Sequence, residues 1–339
     1  MRSVFLVFPL VAVAASCAAT PSNTSPGNGG ANSGGAPGTG GKTTAGTGGK
    51  PTGTGGAAGT GGSATGTSVG GTGTGGGATG TGGSSQPPGS IDCTDTSSTS
   101  VTVNSQNGGT PITTGTSKTY YMQANWWGSY TGNETEQVSG LGFTIGNPTG
   151  AVTPSKNDPM GFPSIFIGSY AGHTTTGSNL PKQVSALTSV PTIFSTNADQ
   201  KGVSNYNATY DVWFTATGTP LSSTQYNPGA GGAYLMVWLF KPSDRQPRGK
   251  VVATGSAING VSGGWDVWYD NSTNPPCVSY VSSDKLASLQ FDLNNFIQNA
   301  VSGGYGVTSS QYLSIIFAGF EVWGGADGLQ EKAFCASVN

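Results

Sequence analysis

The chain has 339 residues, of which only 8% are charged, and its 13 Lys and Arg against 15 Asp and Glu give a net charge of −2. All fifteen acidic residues lie beyond Ile91, and that negative balance argues against nucleic acid as a partner. The 58 glycines are unevenly spread, and the composition divides the chain into three segments.

Residues 1–17 have the character of an export signal. Arg2 precedes an apolar run, Val4–Ala15, that is too short to cross a bilayer as a permanent helix. Small residues before Cys17 resemble the cleavage box of bacterial lipoproteins, so we expect lipidation of Cys17 to be the sole membrane attachment, at the cell surface. The alternative is simple cleavage near this point, which releases an extracellular protein.

Residues 18–90 form the second segment, which holds 28 glycines and no aromatic residue. Such a sequence cannot bury enough apolar surface to offset its ordering entropy, so we expect a disordered linker rich in Gly, Thr and Ser. Residues 91–339 contain every Trp and Tyr of the chain and are long enough for one globular domain with a large core. We expect this domain to be monomeric.

The third segment is predicted to be mostly β-structure. Short runs rich in aromatic and β-branched residues, such as "PSIFIGSY" and "YNATYDVWFTA", alternate with Gly, Pro, Asn and Ser. This pattern predicts an all-β sandwich or barrel. One segment differs, because apolar residues recur at helical spacing from Leu293 to Val301, and Gly303 and Gly304 follow. We therefore expect one short helix at about 292–302.

The few cysteines and the single histidine limit the disulfides and metal sites that the domain can form. Cys93, Cys277 and Cys335 allow at most one internal disulfide, and spacing does not choose the pair. No CxxC motif occurs and His173 is the only histidine, so no metal site is predicted. No nucleotide or flavin motif occurs, and we expect no cofactor.

The run "GAYLMVWLF", residues 232–240, has two different faces as a strand. Alternation places Tyr234, Met236 and Trp238 on one face and aliphatic residues on the other. Because the aliphatic face suits a core, the ring face is free to stack on the flat C–H faces of sugars. This predicts a groove for an extended polysaccharide, to which the Trp residues of "NWWG" and "DVWF" also contribute.

Six motifs in the same order make residues 92–339 resemble glycoside hydrolase family 12, the jelly-roll cellulases and xyloglucanases. "ANWWG" resembles the family's "NNLWG", "ATYDVWF" its "AYDLF", "AYLMVWL" its "YELMIWL" and "AGFEVWGG" its "GTEPFTG". "GWDVWYD" and "CVSYV" resemble two further strands, and the lone helix falls in the same place. The resemblance implies a β-jelly roll of two curved antiparallel sheets that acts on β-glucan such as cellulose or xyloglucan.

The resemblance also implies roles for particular residues. Family 12 enzymes retain anomeric configuration, which requires two carboxylates roughly 5–5.5 Å apart. Glu321 falls on the family's catalytic acid/base, and Asp211 falls on the Asp that supports the nucleophile. Trp127, Met236 and Trp238 fall on residues that bind substrate.

The family's nucleophile has no counterpart. Tyr234 stands where the family has the Glu of "YELMIW", and the run Gly229–Phe240 contains no acid. The other glutamates are predicted to lie in a loop, as Glu134 and Glu136, or near the end, as Glu331. A reactive carboxylate is thus replaced by a phenol that contributes to substrate binding.

Three interpretations remain open at this level. The domain is an inactive enzyme that binds β-glucan in its aromatic groove. Alternatively, hydrolysis persists, either with Tyr234 as nucleophile and Asp211 as its base, or by inversion through Glu321 and a water held by Asp211. In the third interpretation the fold serves another purpose, such as adhesion or cell-surface architecture.

Overall fold

The computed structural model describes residues 91, 93, 100–103, 109–113, 119–126, 135–146, 159–198, 206–243 and 245–339. Within these ranges the strands are β1 Ser100–Val103, β2 Gly109–Thr113, β3 Thr119–Gln123, β4 Thr135–Ser139, β5 Gly142–Gly146, β6 Ser164–Tyr170, β7 His173–Thr174, β8 Lys182–Gln183, β9 Pro191–Thr196, β10 Tyr206–Thr215, β11 Ala233–Trp238, β12 Lys250–Ile258, β13 Val261–Asp270, β14 Cys277–Ser282, β15 Ser288–Asp292, β16 Tyr312–Val322 and β17 Gln330–Ala336. A short 3-10 helix spans Val184–Ala186, and the α-helix α1 spans Asn294–Gly303.

The strands form two stacked sheets. One has six strands in the order β1-β4-β5-β17-β9-β15, and the other has eleven, with the main order β12-β13-β14-β11-β10-β16-β6-β3-β2 and the short β7 and β8 beside β6 and β16. Among the described strands only β11 and β14 pair in parallel. The prediction of an all-β jelly-roll sandwich with one helix is confirmed.

The inter-sheet core follows from alternation along the strands. In the central strand β10, Tyr206, Ala208, Tyr210, Val212 and Phe214 point into this core. The intervening residues point to the opposite face of the eleven-stranded sheet, and all ten residues of β10 are buried. The eleven-stranded sheet is therefore covered on both faces near its middle. Antiparallel sheets more often have one face on the core and the other face in solvent.

Two tyrosine hydroxyls connect the sheets across the core. The Tyr120 hydroxyl in β3 donates to the carbonyl of Ala336 in β17 at 3.1 Å and accepts the N–H of the same residue at 3.0 Å. The Tyr210 hydroxyl lies 3.1 Å from the hydroxyl of Thr192 in β9. Both phenols thus have partners that compensate for the loss of water.

The predicted helix begins two residues later than expected and ends where the glycines predict. Asp292 accepts the N–H of Asn294 at 2.9 Å through its carboxylate, which compensates one of the free donors of the first turn. Gly304 adopts the left-handed conformation, φ 69°, that ends the helix. Phe296 is fully buried and contacts Trp265 with a centroid distance of 4.8 Å, which holds the helix on the sandwich. No described helix is long and apolar enough to span a membrane.

The disulfide that the sequence leaves open joins Cys93 and Cys335, whose Cα atoms lie 5.6 Å apart. It links the start of the described domain to β17 across 242 residues of sequence. A loop of that length loses much unfolded-state entropy when it is closed, so the bond stabilises the fold.

Two expectations about the segment around "NWWG" are wrong. Trp126 lies in the inter-sheet core with 1% of its surface exposed, so it does not contribute to the groove. Its ring packs against Gly161, where a Cβ atom would approach the ring to 2.5 Å. Glu136 lies in β4, not in a loop, and its carboxylate accepts the Trp126 indole N–H at 2.8 Å.

Candidate functional site

The outer face of the eleven-stranded sheet carries a second cluster of buried side chains, which we call the aromatic face. Its members come from β6, β10, β11, β14, β16 and the residues beside these strands. They are Phe162, Phe166, Tyr170, Trp213, Leu221, Tyr234, Met236, Trp238, Cys277, Val281, Ile315, Phe317 and Trp323, and we include the half-buried Trp268 of β13, which packs against them.

Strand β11 has the two faces that its sequence predicts. Tyr234, Met236 and Trp238 belong to the aromatic face. Ala233, Leu235, Val237 and Leu239 belong to the inter-sheet core. The strand is therefore the shared wall of two clusters.

The pairing of strands sets Asp211 at the centre of the aromatic face. Asp211 in β10 lies opposite Met236 in β11 and opposite Phe317 in β16. Tyr234 lies opposite Trp213, one step further along the same face, so Asp211 and Tyr234 are diagonal neighbours.

Glu321 is held by Asn207, the residue opposite it in β10. The Asn207 side-chain amide donates to Oε2 of Glu321 at 2.8 Å. The carbonyl oxygen of the same side chain accepts the backbone N–H of Glu321 at 3.2 Å. This two-way contact fixes the carboxyl group, which is 1% exposed.

Burial sets the protonation of both carboxyl groups. It raises the pKa of Asp211 to about 7, and the nearby Trp213 indole, which does not reach hydrogen-bond geometry, lowers it only in part. Burial also raises the pKa of Glu321 to about 8; the Asn207 hydrogen bond lowers that pKa and the charge of Asp211 raises it further. Burial therefore favours the protonated form of both carboxyl groups, and more so for Glu321.

The environment of Tyr234 favours the protonated form of its phenol. Burial, followed by the charge of Asp211, raises the pKa of its phenol well above the usual value, and the weaker effect of Arg248 lowers it. A phenol that holds its proton this firmly donates hydrogen bonds and does not supply a phenolate.

The aromatic face is closed where the sequence predicts an open groove. Tyr234, Met236 and Trp238 have exposed fractions of only 2%, 1% and 2%. At the end next to Trp238, the guanidinium of Arg245 lies 5.4 Å from the ring centre of Trp323. These three side chains therefore have almost no contact with solvent in the structure.

The aromatic face also collects polar atoms that lack hydrogen bonds. Of the twelve buried side-chain atoms without a partner in the described part of the chain, seven lie on it. They are the hydroxyl of Tyr170, both carboxylate oxygens of Asp211 and the indole nitrogens of Trp213, Trp238, Trp268 and Trp323. Buried polar groups are normally paired, so the concentration of such atoms on one face is a distinguishing feature of this part of the structure.

Of the predicted site residues, the structure places five on this face: Asp211, Tyr234, Met236, Trp238 and Glu321. Trp127 and Cys17 lie outside the described residues. No group of three or more His, Cys, Asp or Glu side chains in the described ranges is placed to hold a metal ion.

Sequence reasoning missed three residues of this face: Asn207, Trp268 and Trp323. Asn207 shares the alternation of Asp211 along β10, and Trp323 shares that of Glu321 at the end of β16, so period-two spacing could have found both. Trp268 lies in β13 opposite Ser279, which in turn lies opposite Met236. To predict that Trp268 lies on this face one must know that β13, β14 and β11 are neighbours, and no single stretch of sequence shows that order.

A β-sandwich with two buried carboxyl groups, Asp211 and Glu321, on a ring-lined face is compatible with a glycoside hydrolase. The sequence pattern of Glycosyl hydrolase family 12 matches residues 118–339, and the chain belongs to that family.

Curated relatives agree with this assignment. The chain is 29% identical over 163 residues to "Probable cellulase Cel12b" of Mycobacterium tuberculosis, covering 48% of this chain and 99% of that protein. It is 28% identical over 231 residues to "Probable xyloglucan-specific endo-beta-1,4-glucanase A" of Aspergillus terreus, covering 67% of this chain and 84% of that protein.

Among solved structures, "Endoglucanase cel12A from Rhodothermus marinus" superimposes with a TM-score of 0.59 at 29% sequence identity. The match covers 70% of this chain and 99% of that chain.

Proposed function

We propose that this protein binds β-1,4-glucan, such as cellulose or xyloglucan, on its aromatic face and that Tyr234 stands in place of the family's nucleophile. Family membership supplies the substrate class, since the named relatives are a cellulase and a xyloglucan-specific glucanase. The observation that carries the proposal is the set of seven unpartnered polar atoms among the rings. Sugar hydroxyls donate and accept hydrogen bonds, and the C–H faces of the same sugars stack on rings, so one ligand satisfies both needs.

The replacement of the nucleophile removes the retaining mechanism. Retention needs a carboxylate that forms a covalent bond with the sugar, and the phenol of Tyr234 keeps its proton beside Asp211. Glu321 and Asp211 then serve as hydrogen-bonding groups for sugar hydroxyls. On this proposal the domain is a pseudoenzyme, a binding protein built on a hydrolase fold.

One observation favours a second candidate, which is slow hydrolysis with inversion. Burial raises the pKa of Glu321 to about 8 and that of Asp211 to about 7, so Glu321 is the candidate acid and Asp211 the candidate base. Inversion uses such an acid and base with a water between them. Tyr234 lies diagonal to Asp211 and occupies space that this water requires, which is why binding without turnover is our first choice.

The proposed location is the outside of the cell. The short apolar run of residues 1–17 directs export, and lipidated Cys17 attaches the chain to a membrane. The glycine-rich residues 18–90 then act as a flexible spacer that lets the domain reach insoluble glucan. The support for this part is the sequence alone.

Affinity electrophoresis in gels with soluble β-glucan tests the binding. Trp268 is half-buried, so Trp268→Ala does not empty a core, and we expect it to weaken retention about tenfold through loss of ring contact. Tyr305→Ala, which truncates a half-buried ring off the aromatic face, is the matched control and should leave retention unchanged. Wild-type protein that migrates equally in gels with and without glucan would refute the proposal.

Measurement of reducing ends in the same samples separates the two candidates. A pseudoenzyme produces no reducing ends. An inverting hydrolase produces them, and the substitution Glu321→Gln should abolish this activity. Turnover by the wild type with inverted product would replace the first candidate by the second.

A further inference from the structure

The connection between β11 and β12, residues 241–250, is strongly basic, and we call it the basic strap. It carries four of the ten Lys and Arg residues that lie beyond Ile91, and one of the fifteen acids. Its net charge is +3, whereas the rest of the chain beyond Ile91 has a net charge of −8. A segment of one sign on an otherwise acidic domain attracts partners of the opposite charge.

The strand directions send the basic strap back across the sheet. Strands β11 and β14 are parallel, and β13 is antiparallel to both β14 and β12, so β11 and β12 run in the same direction. Strands of the same direction need a connection that returns along their length. Lys250 at the start of β12 lies opposite Tyr269, which through Val278 is level with Leu235 in the first half of β11. The strap therefore returns from the end of β11 to this level.

Two arginines place the strap over the aromatic face. The guanidinium of Arg245 lies 5.4 Å from the ring centre of Trp323. The guanidinium of Arg248 lies 3.2 Å from the carboxylate of Asp270, which is in the same cross-strand row as Tyr234. These two contacts hold the strap at different ends of the face, so its cationic groups lie beside the proposed glucan site.

Hydrogen bonds and prolines fix the shape of the strap. The ammonium group of Lys241 donates to the carbonyl of Pro242 at 3.2 Å and to that of Arg245 at 3.0 Å. The backbone N–H of Arg245 donates to the carbonyl of Pro242 at 3.4 Å. Pro242 and Pro247 are buried, and the ring of each restricts φ. A surface that is shaped in advance loses less entropy when it binds a partner.

The acids of the neighbouring strand neutralise the strap only in part. Asp270 pairs with Arg248, and the carboxylate of Asp266 accepts a backbone N–H of β12 at 2.9 Å. The ammonium group of Lys241 has three N–H donors, and the two carbonyls use two of them. Lys250 is exposed. The strap therefore keeps cationic groups at its surface that can pair with anions.

We propose that the basic strap binds the carboxylate groups of an acidic polysaccharide, that is, a glucan with carboxyl-bearing sugar units. The inference rests on the proposed function, which supplies the sugar polymer, and the strap adds the charge. Hydrogen bonds between an ammonium or guanidinium group and a carboxylate are stronger than those between neutral groups, and Arg248 already forms one with Asp270. Because these groups lie on the strap, the carboxylates bind without contact to the closed rings.

Calorimetric titration with three soluble polymers at neutral pH tests this inference. Carboxymethylcellulose carries sugars and carboxylates, hydroxyethylcellulose carries sugars alone, and polyacrylate carries carboxylates alone. In about 20 mM salt we expect the wild type to bind carboxymethylcellulose about three- to tenfold more tightly than hydroxyethylcellulose, the range that two or three exposed ion pairs supply. In about 300 mM salt the difference should largely vanish, because exposed charges are screened.

Substitution of Lys250 tests the strap itself, since this exposed side chain is not part of the aromatic face. We expect Lys250→Gln to weaken binding of carboxymethylcellulose about twofold and Lys250→Glu about fourfold, with no change for hydroxyethylcellulose. Lys332→Gln and Lys332→Glu are the matched controls, because Lys332 is an exposed lysine of the other sheet. They make the same charge changes and should leave the preference of the wild type intact.

Equal affinity of the wild type for the two cellulose derivatives, unchanged by Lys250→Glu, would overturn the role of the strap and leave the proposed function intact. Binding of polyacrylate as tight as that of carboxymethylcellulose would show attraction to charge alone and would also overturn the inference. Failure to bind either cellulose derivative would overturn the proposed function together with it.

Discussion

Introducing a carboxylate at position 234 is the sharpest perturbation of this site. Tyr234→Glu places an acid diagonal to Asp211 and on the same face as Glu321. If Tyr234 stands in the nucleophile position, the variant regains the carboxylate with which a retaining glycosidase forms its covalent intermediate. We expect hydrolysis of soluble β-glucan to rise by on the order of 10⁴-fold, the scale on which loss of a covalent nucleophile is measured.

The structure also sets the conditions for this gain. Glu321 must be protonated to act as acid, and its pKa of about 8 keeps it so below that pH. The phenol is only 2% exposed, so its replacement by a shorter side chain leaves unfilled space. We expect the variant to lose on the order of 1–3 kcal/mol of unfolding free energy, which thermal unfolding should confirm before activity is compared.

Tyr234→Gln is the matched control, because it has the same shape as the glutamate and no nucleophilic oxygen. Reducing ends are measured for wild type and both variants, and ¹H NMR of the first product identifies its anomer. The reasoning is refuted if folded Tyr234→Glu is no more active than Tyr234→Gln, or if it releases the inverted anomer.

Three further predictions concern charge and covalent links. Glu331 is fully buried with both carboxylate oxygens unpartnered near Tyr210, and burial raises its pKa well above the usual value. Folding favours the neutral form of Glu331, so the protein loses stability as the pH rises above about 4.5. Glu331→Met should therefore raise the unfolding free energy at pH 7 by about 1–3 kcal/mol and have little effect on it at pH 4. Chemical denaturation at the two pH values measures both. Asn207→Ala removes the hydrogen bond that lowers the pKa of Glu321, so an NMR titration should find that pKa above about 8; an unchanged value would contradict the contact. Replacing Cys93 and Cys335 together by Ser should cost on the order of 4–5 kcal/mol of unfolding free energy, and an unaltered denaturation midpoint would disprove the pairing.

Most of the predictions made from the sequence rest on the local periodicity of apolar residues. The two faces of β11 are confirmed because side chains alternate strictly along a strand, whatever it pairs with. The helix is confirmed as well. It could be predicted because its apolar spacing and its terminal glycines lie within one short segment. Asp211 and Glu321 lie on one face for the same reason, once their strands are adjacent.

Contacts between distant segments of the chain could not be predicted from the sequence. The partnership of Asn207 with Glu321 joins residues 114 apart and depends on the register of β10 against β16. The position of Trp126 in the core depends on Gly161, whose missing side chain makes room for the ring. Neither the closure of the aromatic face nor the choice of Cys93 and Cys335 has a signal in any single stretch of sequence.

The electrostatics of the aromatic face give a physical reason for a phenol at position 234. Asp211 and Glu321 already have pKa values of about 7 and 8 because burial disfavours their charged forms. A third carboxyl group beside Asp211 would add repulsion in the same dry environment and raise these values further. Tyr234 avoids that repulsion and adds ring area that contacts Trp213 edge-on at 5.6 Å. If the domain binds glucan without cleaving it, as we propose, it gains stability from this residue, whereas an enzyme has to tolerate the crowded charge because its reaction requires the nucleophile.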